Sequence, residues 1–320
     1  MNMVFLSTLL LGVTMMVTSK TWFSVWLGLE INLLSFLPII LLSSASTSEG
    51  GLKYFLVQAV GSLLILQTSF AWPMLPHPFL FFMLPLTLKL GAAPLHFWLP
   101  EVTQTLSWRV NMILLTVQKT GPLYLLAMVS VAHKIPLVII GALSTIIGSL
   151  GGLNETDLRK LMAFSSISHM GWMMVGMVIT PIHWMLYFMT YIITSLSLII
   201  FLDKTHIFSL NQLSFKSKTG LLAMLLFLSL GGFPPFLGFA PKWAILLSTT
   251  NLSLILSGLL VVTSMITLYY YIRAGLMTLT LSSTIFYTPS SLNNKLQITI
   301  ILISILGGAL YMLMWSKLTL

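Results

Sequence analysis

Runs of about twenty apolar residues recur along almost the whole of this 320-residue chain. A helix needs about 20 apolar residues to cross the hydrocarbon core of a bilayer, and the runs here are joined by short polar connections. Hydrophobic residues make up 57% of the chain and charged residues only 7%, whereas a soluble domain is about a quarter charged. Such a chain has too little polar surface to face water on all sides. The sequence therefore predicts an all-α polytopic membrane protein.

Eleven apolar runs are long enough to span a membrane, and we expect them to form one transmembrane domain over residues 1–320. The predicted spans cover roughly 3–19, 22–42, 53–71, 79–99, 109–131, 135–153, 160–180, 183–202, 220–247, 253–275 and 296–316. The ninth run is too long for one plain helix and contains the sequence GGFPPFLGFAPK. Because proline disrupts a helix interior, we expect a break there.

Composition also excludes several kinds of cofactor site. The chain has no cysteine, which rules out disulfides, thiolate chemistry and cysteine-bound iron–sulfur clusters. Neither glycine-rich phosphate-binding motif, GxGxxG or GxxxxGK(S/T), occurs in it. The formal net charge of +9 is not concentrated in any soluble segment. We therefore expect no nucleic acid partner and no cofactor bound by this chain.

Basic residues are distributed unevenly between the two sets of connecting loops. The odd-numbered connections contain two of them, Lys20 and Lys134. The even-numbered connections contain nine: Lys53, Arg109, Arg159, Lys160, Lys204, Lys216, Lys218, Arg273 and Lys295. Since lysine and arginine favour the inner side of a membrane, the even-numbered loops and the N-terminus are predicted to lie inside, and the C-terminus outside.

Four ionisable side chains lie well inside predicted spans: Glu30, Lys89, Lys119 and Lys242. Each costs ~2.5–3.5 kcal/mol at the centre of a bilayer, or roughly 10 kcal/mol for the set. Such groups face the protein interior or a wet cavity rather than lipid. One interpretation is structural, with ion pairs or side chains that extend to the interface. The other is a buried path for protons, which four such groups in separate spans favour.

A proline lies close to each of the three lysines. The prolines are Pro94 after Lys89, Pro122 after Lys119, and Pro234, Pro235 and Pro241 before Lys242. Proline leaves the carbonyl four residues earlier without its helical donor. The carbonyls predicted to be freed are those of Leu90, Gln118, Leu230 and Gly231. Because non-helical backbone at membrane depth is tolerated only beside protein or water, the breaks favour a buried polar path.

The fourth and ninth spans both combine a lysine with proline breaks, and they lie five spans apart. An odd separation means that the two spans would enter the membrane from opposite sides, as in inverted-repeat transporters. We therefore predict approximate repeats over residues 1–131 and 135–275, followed by a final helix at 296–316.

Glu30 and Lys89 form the central pair of the predicted path. A lysine in a medium of low dielectric is less basic, and a nearby carboxylate restores its charge. Two unit charges 4 Å apart interact by ~4 kcal/mol at an effective dielectric near 20. We therefore expect Lys89 to be charged when Glu30 is close and neutral when Glu30 moves away.

Two histidines in the predicted spans are further candidates. His169 occurs in the sequence SSISHMGWMM, and histidine is the side chain whose ordinary titration range suits a proton relay. The alternative for His169 is a structural hydrogen bond to a neighbouring helix. His96 lies near a span end, where a structural role is favoured over a functional one.

Five segments resemble the antiporter-like membrane subunits of respiratory complex I. In chain order between residues 22 and 275 they are WLGLEINLLSFLPI, KLGAAPLHFWLPEV, VQKTGP, GGLNETDLRKLMAFSSISHMGWMM and LSLGGFPPFLGFAPKWAI. The resemblance implies two inverted five-helix repeats, each with a broken helix, in the mitochondrial inner membrane, with the N-terminus in the matrix. It also implies proton translocation through Glu30, Lys89, Lys119 and Lys242, which match the relay positions of the family.

The resemblance further implies that the chain is an enzyme subunit without a redox centre of its own. It would belong to the proton-translocating NADH:ubiquinone reductase, with flavin, iron–sulfur clusters, NADH and ubiquinone bound by partner subunits. Other membrane-arm subunits would flank it on both sides among lipids, and it would not function as a monomer. Two alternatives stay open: a free-standing cation/proton antiporter of the same fold, and a structural spacer subunit.

Overall fold

The computed structural model describes residues 3–43, 48–72, 78–130, 134–213, 217–234 and 236–280. Over these ranges the chain forms helices and no strand, apart from an isolated antiparallel bridge between Asp157 and Ser209. The predicted all-α class is therefore confirmed. The predicted final helix at 296–316 lies outside the described residues. So do Pro235, Lys216 and Lys295.

The helices follow the apolar runs. They are α1 (Met3–Thr18), α2 (Trp22–Leu41), α3 (Ser48–Phe70), α4 (Pro78–Leu90), α5 (Trp98–Thr105), α6 (Trp108–Leu115), α7 (Val117–Ser130), α8 (Lys134–Gly151), α9 (Leu158–Ile179), α10 (Pro181–Thr205), α11 (Leu210–Leu213), α12 (Ser217–Gly231), α13 (Phe239–Thr249) and α14 (Leu254–Thr280). Each of the first ten predicted spans is helical over most of its length.

Seven helical stretches in the described part of the chain are long and apolar enough to cross a membrane. They are Trp22–Leu41, Ser48–Phe70, Trp108–Ser130, Lys134–Gly151, Leu158–Ile179, Pro181–Thr205 and Leu254–Met277. Shorter apolar helices occur at Met3–Thr18, Phe79–Leu90 and Leu222–Gly231. The last two helices lie in the fourth and ninth predicted spans. They are short because each of these spans is broken into two helices.

The chain divides into two compact units, Met1–Ser144 and Thr145–Leu320. In the first unit, α2 packs against α1 and α3, and α4 packs against α3 and α7. In the second unit, α9 packs against α10 and α13, and α12 packs against α10 and α14. Because 89% of the apolar stretch of α9 is buried, this helix forms the core of the second unit.

Glycines bring α1 and α2 into close contact in the first unit. A Cβ atom on Gly12 would lie 3.0 Å from the backbone oxygen of Gly28, and one on Gly28 would lie 3.0 Å from the oxygen of Gly12. Small residues allow helix backbones in membranes to approach this closely. The contact fixes α2 immediately before Glu30.

Polar contacts fix the start of α9 in the second unit. Asp157 caps the helix by accepting the N–H of Arg159 at 2.9 Å, and its backbone bridges to Ser209. Arg273 on α14 donates from Nη2 to the Glu155 carbonyl at 3.0 Å. The entry to α9 is therefore held by segments that follow it in the sequence.

Two helices stop in the middle of predicted spans, as the proline positions predict. Residues 91–97 separate α4 from α5, and residues 232–238 separate α12 from α13. Each break opens with a glycine in the left-handed region, Gly91 at φ 68° and Gly232 at φ 77°. In each, the next N–H donates to the carbonyl five residues back: Ala92 to Thr87 at 3.0 Å, and Phe233 to Leu228 at 3.1 Å. Both helices thus end in the glycine-dependent Schellman arrangement.

The third lysine also lies beside an interruption, but not at the residue that the proline predicts. Pro122 lies inside α7, and α6 and α7 are separated at Thr116, where φ is −116° and ψ is −77°. The Thr116 hydroxyl donates to the Met112 carbonyl at 2.6 Å, a bond type that bends helices. The helix is therefore interrupted before Gln118, at a residue whose side chain bonds to the preceding turn, and not at the carbonyl that Pro122 was predicted to free.

Candidate functional site

Lys89 is held by a reciprocal pair of hydrogen bonds with α3. Its ammonium donates to the backbone carbonyl of Gln58 at 2.9 Å, and the Gln58 side-chain amide donates to the Lys89 carbonyl at 3.2 Å. Lys89 is 6% exposed and Gln58 is 7% exposed. The Lys89 carbonyl lies in the last turn of α4, where backbone carbonyls have no N–H donor within the helix. The helix break therefore supplies part of the anchor that holds the lysine.

The Glu30 carboxylate is bound by the same helix, one turn further along. The Ser62 hydroxyl donates to Glu30 Oε1, and it also lies 2.9 Å from the Ala59 carbonyl. In the described part of the chain no ion pair within 4.0 Å joins Glu30 to Lys89, although the two groups interact electrostatically. The structure thus brings the predicted pair together through α3 rather than by direct contact.

Gly61 makes room for the stem of Lys89. A Cβ atom at this position would lie 2.9 Å from Cγ and 3.1 Å from Cε of the lysine. Because Gly61 has no side chain, Lys89 lies against the backbone of α3, and its ammonium reaches the Gln58 carbonyl.

A small cavity joins Lys89 to Lys119 inside the first unit. Its volume is about 10 Å³, which is room for about one water molecule. Both lysines line it, together with Gln58 and Gln118, and Lys119 is 3% exposed. Two of the predicted site lysines, from α4 and α7, therefore share one buried polar pocket.

Gln118 connects three helices beside Lys119. Its side-chain amide donates to Asn32 Oδ1 on α2 at 2.9 Å, and its Oε1 accepts the hydroxyl of Tyr54 on α3 at 3.3 Å. Asn32 and Tyr54 are both buried. These two hydrogen bonds hold the start of α7 against α2, which carries Glu30, and α3, which carries Ser62.

The Lys242 side chain, in the second unit, contacts the backbone at the helix break that precedes it. Its ammonium donates to the Gly231 carbonyl at 2.8 Å, which is one of the carbonyls predicted to be freed. The ammonium lies 5.9 Å from the centre of the Trp172 ring on α9. A Cβ atom on Gly232 would lie 3.0 Å from Lys242 Cδ, so the glycine leaves space for the lysine stem as well as closing α12.

His169 is buried in the middle of α9 and bonds to the neighbouring helix α10. Its Nδ1 lies 2.8 Å from the Tyr187 hydroxyl, the kind of partner that the structural interpretation expects. The serines around it donate to carbonyls of their own helix: Ser165 to Met162, Ser166 to Ala163 and Ser168 to Ser165. His96 is buried within the first break and contacts the Pro94 carbonyl through Nδ1 at 3.2 Å, a local contact.

Sequence reasoning missed the residues of α3 that hold the charged pair. Tyr54, Gln58 and Ser62 are buried and follow one another at four-residue spacing. Residues four apart lie on one face of a helix. This spacing of polar side chains within an apolar span was therefore a readable signal for a polar face directed at the protein interior.

Comparison with known proteins identifies the family. The family described as NADH:quinone oxidoreductase/Mrp antiporter, TM, matches residues 19–73 and 65–267. A chain from Anopheles gambiae named NADH-ubiquinone oxidoreductase chain 2 is 39% identical over 317 residues, which cover 92% of this chain and 92% of that chain. This chain belongs to the NADH-ubiquinone oxidoreductase chain 2 family. The resemblance to antiporter-like membrane subunits is thereby confirmed.

Two solved structures share the fold. A chain of respiratory complex I from Thermus thermophilus superposes with a TM-score of 0.83 at 23% identity, covering 97% of this chain and 77% of that chain. A chain of the membrane-bound sulfane sulfur reductase, an archaeal respiratory membrane complex, gives a TM-score of 0.86 at 17% identity and covers 98% and 74%. The fold is thus one found in membrane chains of multisubunit complexes. As a member of its family, this chain is a multi-pass membrane subunit of an oxidoreductase complex.

Proposed function

We propose that this chain is a membrane-arm subunit of respiratory complex I that translocates protons across the mitochondrial inner membrane through Glu30, Lys89, Lys119 and Lys242. One observation carries the proposal. A half-buried acid on α2 and a buried base on α4 are anchored on α3 within electrostatic reach but without direct contact. A pair held in this way changes its interaction energy when either helix shifts, which is what a proton switch needs.

The energy of the pair is large enough to control a proton. If Glu30 came within 4 Å of Lys89, the two unit charges would interact by ~4 kcal/mol at an effective dielectric near 20, and at longer distances they interact less. When Glu30 approaches, Lys89 keeps its proton. When Glu30 withdraws, the amine of Lys89 gives the proton up, and the cavity shared with Lys119 offers the next basic group.

Lys242 provides a further exchange position in the second unit. Its ammonium is bound by the Gly231 carbonyl beside a broken helix, and the side chain is buried. His169 is a second candidate for the relay. Its bond to Tyr187 supports the structural alternative for the histidine, so the four charged residues carry the proposal without it.

The driving energy must come from outside this chain. Moving one charge against 100 mV costs ~2.3 kcal/mol, and a proton relay alone stores no such energy. We propose that electron transfer in partner subunits supplies it, with flavin, iron–sulfur clusters, NADH and ubiquinone bound there. The chain has no cysteine, and in its described part no group of three or more His, Cys, Asp or Glu side chains could hold a metal ion.

We further propose that the chain forms a single transmembrane domain of eleven spans, with two inverted five-helix repeats at 1–131 and 135–275 and a final helix at 296–316. Support comes from the two breaks, each opened by a left-handed glycine and each paired with a buried lysine. The loop charges support an N-terminus in the matrix and a C-terminus in the intermembrane space.

Other membrane-arm subunits would flank the chain on both sides, with lipids around them. The structure exposes large apolar side chains along several helices, among them Leu34, Leu63 and Met265, which suits lipid or partner helices rather than water. Isolation of a stable monomer that conducts protons by itself would contradict this assembly.

The experiment that tests the function is replacement of the buried lysines in the assembled complex. We expect Lys89→Met, Lys119→Met and Lys242→Met each to lower the number of protons moved per NADH oxidised. The matched control is Lys53→Met, because Lys53 is a surface lysine of α3, 43% exposed and paired with Glu49 and Glu101. An unchanged proton yield in all three buried variants, at normal assembly, would refute the relay.

The same variants separate the two alternatives. A structural spacer predicts that loss of the buried lysines impairs assembly while the complexes that do form keep a normal proton yield. A free-standing antiporter predicts that the chain transports protons outside any NADH-oxidising assembly. Fractionation of membranes in mild detergent, with detection of the chain in each complex, distinguishes the antiporter from the proposed subunit.

Orientation has its own test. A short tag inserted within 203–219 should be accessible only from the matrix side, because nine basic residues against two place the even-numbered loops inside. Cleavage of that tag by a protease added to the intermembrane space would overturn the assigned orientation and leave the relay proposal standing.

A further inference from the structure

The serine that binds Glu30 has more acceptors than it has protons. A hydroxyl group carries one O–H donor and can also accept. The Ser62 oxygen lies within hydrogen-bond distance of two acceptors, Glu30 Oε1 and the Ala59 carbonyl, the second at 2.9 Å. Ser62 is 0% exposed. The single hydroxyl proton can therefore serve only one of these acceptors at a time.

Each choice of acceptor fits one protonation state of Glu30. When the carboxyl group is ionised it only accepts, so the Ser62 hydroxyl donates to it. When the carboxyl group is protonated it gains an O–H donor, which can donate to the Ser62 oxygen. The serine proton then turns to the Ala59 carbonyl. The hydroxyl rotates, no covalent bond changes, and the two side chains stay hydrogen-bonded in both states.

The same turn of α3 also holds the base. Lys89 donates to the carbonyl of Gln58, and in a regular helix that carbonyl faces the N–H of the residue four positions on, which is Ser62. Gln58 returns a bond to the Lys89 carbonyl, and Gly61 gives the lysine stem its space. The anchors of the acid and of the base therefore lie one turn apart on the same helix, so α3 sets their separation while both side chains are bound to it.

We propose that Ser62 is a positioning residue that keeps the Glu30 carboxyl group bound to α3 in both its protonated and its ionised form while Glu30 is close to Lys89, and so sets the distance between the two groups in that state of the switch. The inference rests on the proposed function, since it assigns Ser62 a role in the Glu30–Lys89 switch. Ser62 acts only through Glu30 and takes up no translocated proton itself.

The test uses Ser62→Ala in the assembled complex, read as the rate of NADH-driven proton translocation in vesicles. We expect this rate to fall by about tenfold with assembly unchanged, because a hydrogen bond to a charged group is worth at least that factor in an equilibrium. The matched control is Ser69→Ala on the same helix, whose hydroxyl donates to the carbonyl three residues back, as Ser62 does. We expect Ser69→Ala to leave the rate unchanged.

Two further variants distinguish positioning from general stability. Ser62→Thr keeps the hydroxyl and should restore most of the rate lost in Ser62→Ala. In the background of Glu30→Gln, Ser62→Ala should cause no further loss, because its target carboxylate is already gone. A normal rate in Ser62→Ala, a threonine variant as slow as the alanine variant, or an equal loss in both backgrounds overturns the inference. A normal rate in Glu30→Gln alone would instead overturn the proposed function.

Discussion

The broken helices of the two units end alike but place their lysines on opposite sides of the break. Both α4 and α12 stop at a left-handed glycine, Gly91 and Gly232, with matching hydrogen bonds across the last turn. Lys89 precedes its glycine within α4, whereas Lys242 follows its glycine within α13. The same type of helix end is therefore followed by a lysine in one unit and preceded by a lysine in the other.

Because of this difference, the two ammonium groups have different neighbours. The Lys89 ammonium reaches across to α3 and lies within electrostatic range of Glu30. The Lys242 ammonium returns to the Gly231 carbonyl of its own break and lies over the face of Trp172. A lysine that faces an acid able to move suits a switch. A lysine held on a backbone carbonyl suits a site whose affinity for the proton stays constant.

The largest effect should come from arginine at either lysine. Arginine keeps the positive charge but does not release its proton in proteins, so Lys89→Arg and Lys242→Arg should both stop proton transfer through this chain. If the lysine had only a structural role, the change would impair assembly while the complexes that form kept a normal proton yield. The measurement is proton yield per NADH oxidised, with the exposed Lys53→Arg as control. Normal yield in Lys89→Arg but not in Lys242→Arg would confine the relay to the second unit.

Alanine at Gly91 or Gly232 should destabilise the complex, and to different extents at the two breaks. A left-handed φ costs a residue with a side chain ~1–2 kcal/mol, which applies to both positions. Gly232→Ala should destabilise more than Gly91→Ala, because its Cβ would lie 3.0 Å from both the Gly238 carbonyl and Lys242 Cδ, against 3.3 Å to Leu99 at the other site. Thermal dissociation of the complex measures this.

Gly258→Ala is the control for these two variants. A Cβ atom there meets nothing within 4 Å, and the residue lies in helix α14. Alanine should be neutral or stabilise the helix by ~0.5–1 kcal/mol. Equal losses of stability at positions 91, 232 and 258 would show that the breaks have no special requirement for glycine.

The smallest effect should come from the aromatic face under Lys242. A cation over a tryptophan ring gains ~0.5–2 kcal/mol when partly desolvated. Trp172→Leu should therefore change proton yield modestly, and Trp172→Phe, which keeps an aromatic face, should change it less. Trp184→Phe is a control for loss of volume at a buried tryptophan of the same unit. Identical effects of the leucine and phenylalanine variants would show that the aromatic ring does not stabilise the Lys242 ammonium.

The helices and the breaks could be predicted from the sequence because both depend on local chemistry. The length of an apolar run sets a span, and glycine and proline set where a helix stops. This is why the break carbonyl of Gly231 was predicted and is found bound to Lys242. The four charged residues within the spans followed from the same local rule, since each interrupts an apolar run.

The partners of those charges depend on packing, which the sequence does not show directly. Nothing local indicates that α3 lies between Glu30 and Lys89, or that Gly61 admits the lysine stem. The break beside Lys119 was displaced for a similar reason. The helix is interrupted at Thr116 instead of at the Gln118 carbonyl, because the Thr116 side chain bonds to the preceding turn and bends the helix there.

The most direct test of the central claim is a double-mutant cycle on Glu30 and Lys89 in fully assembled complex. Proton yield per NADH oxidised is measured for Glu30→Gln, Lys89→Met and the double variant, with Glu30→Asp as the conservative change. If the pair acts as a unit, both single variants lower the yield, the double variant is little worse than either, and Glu30→Asp is milder. A normal yield in Glu30→Gln at full assembly would contradict the account.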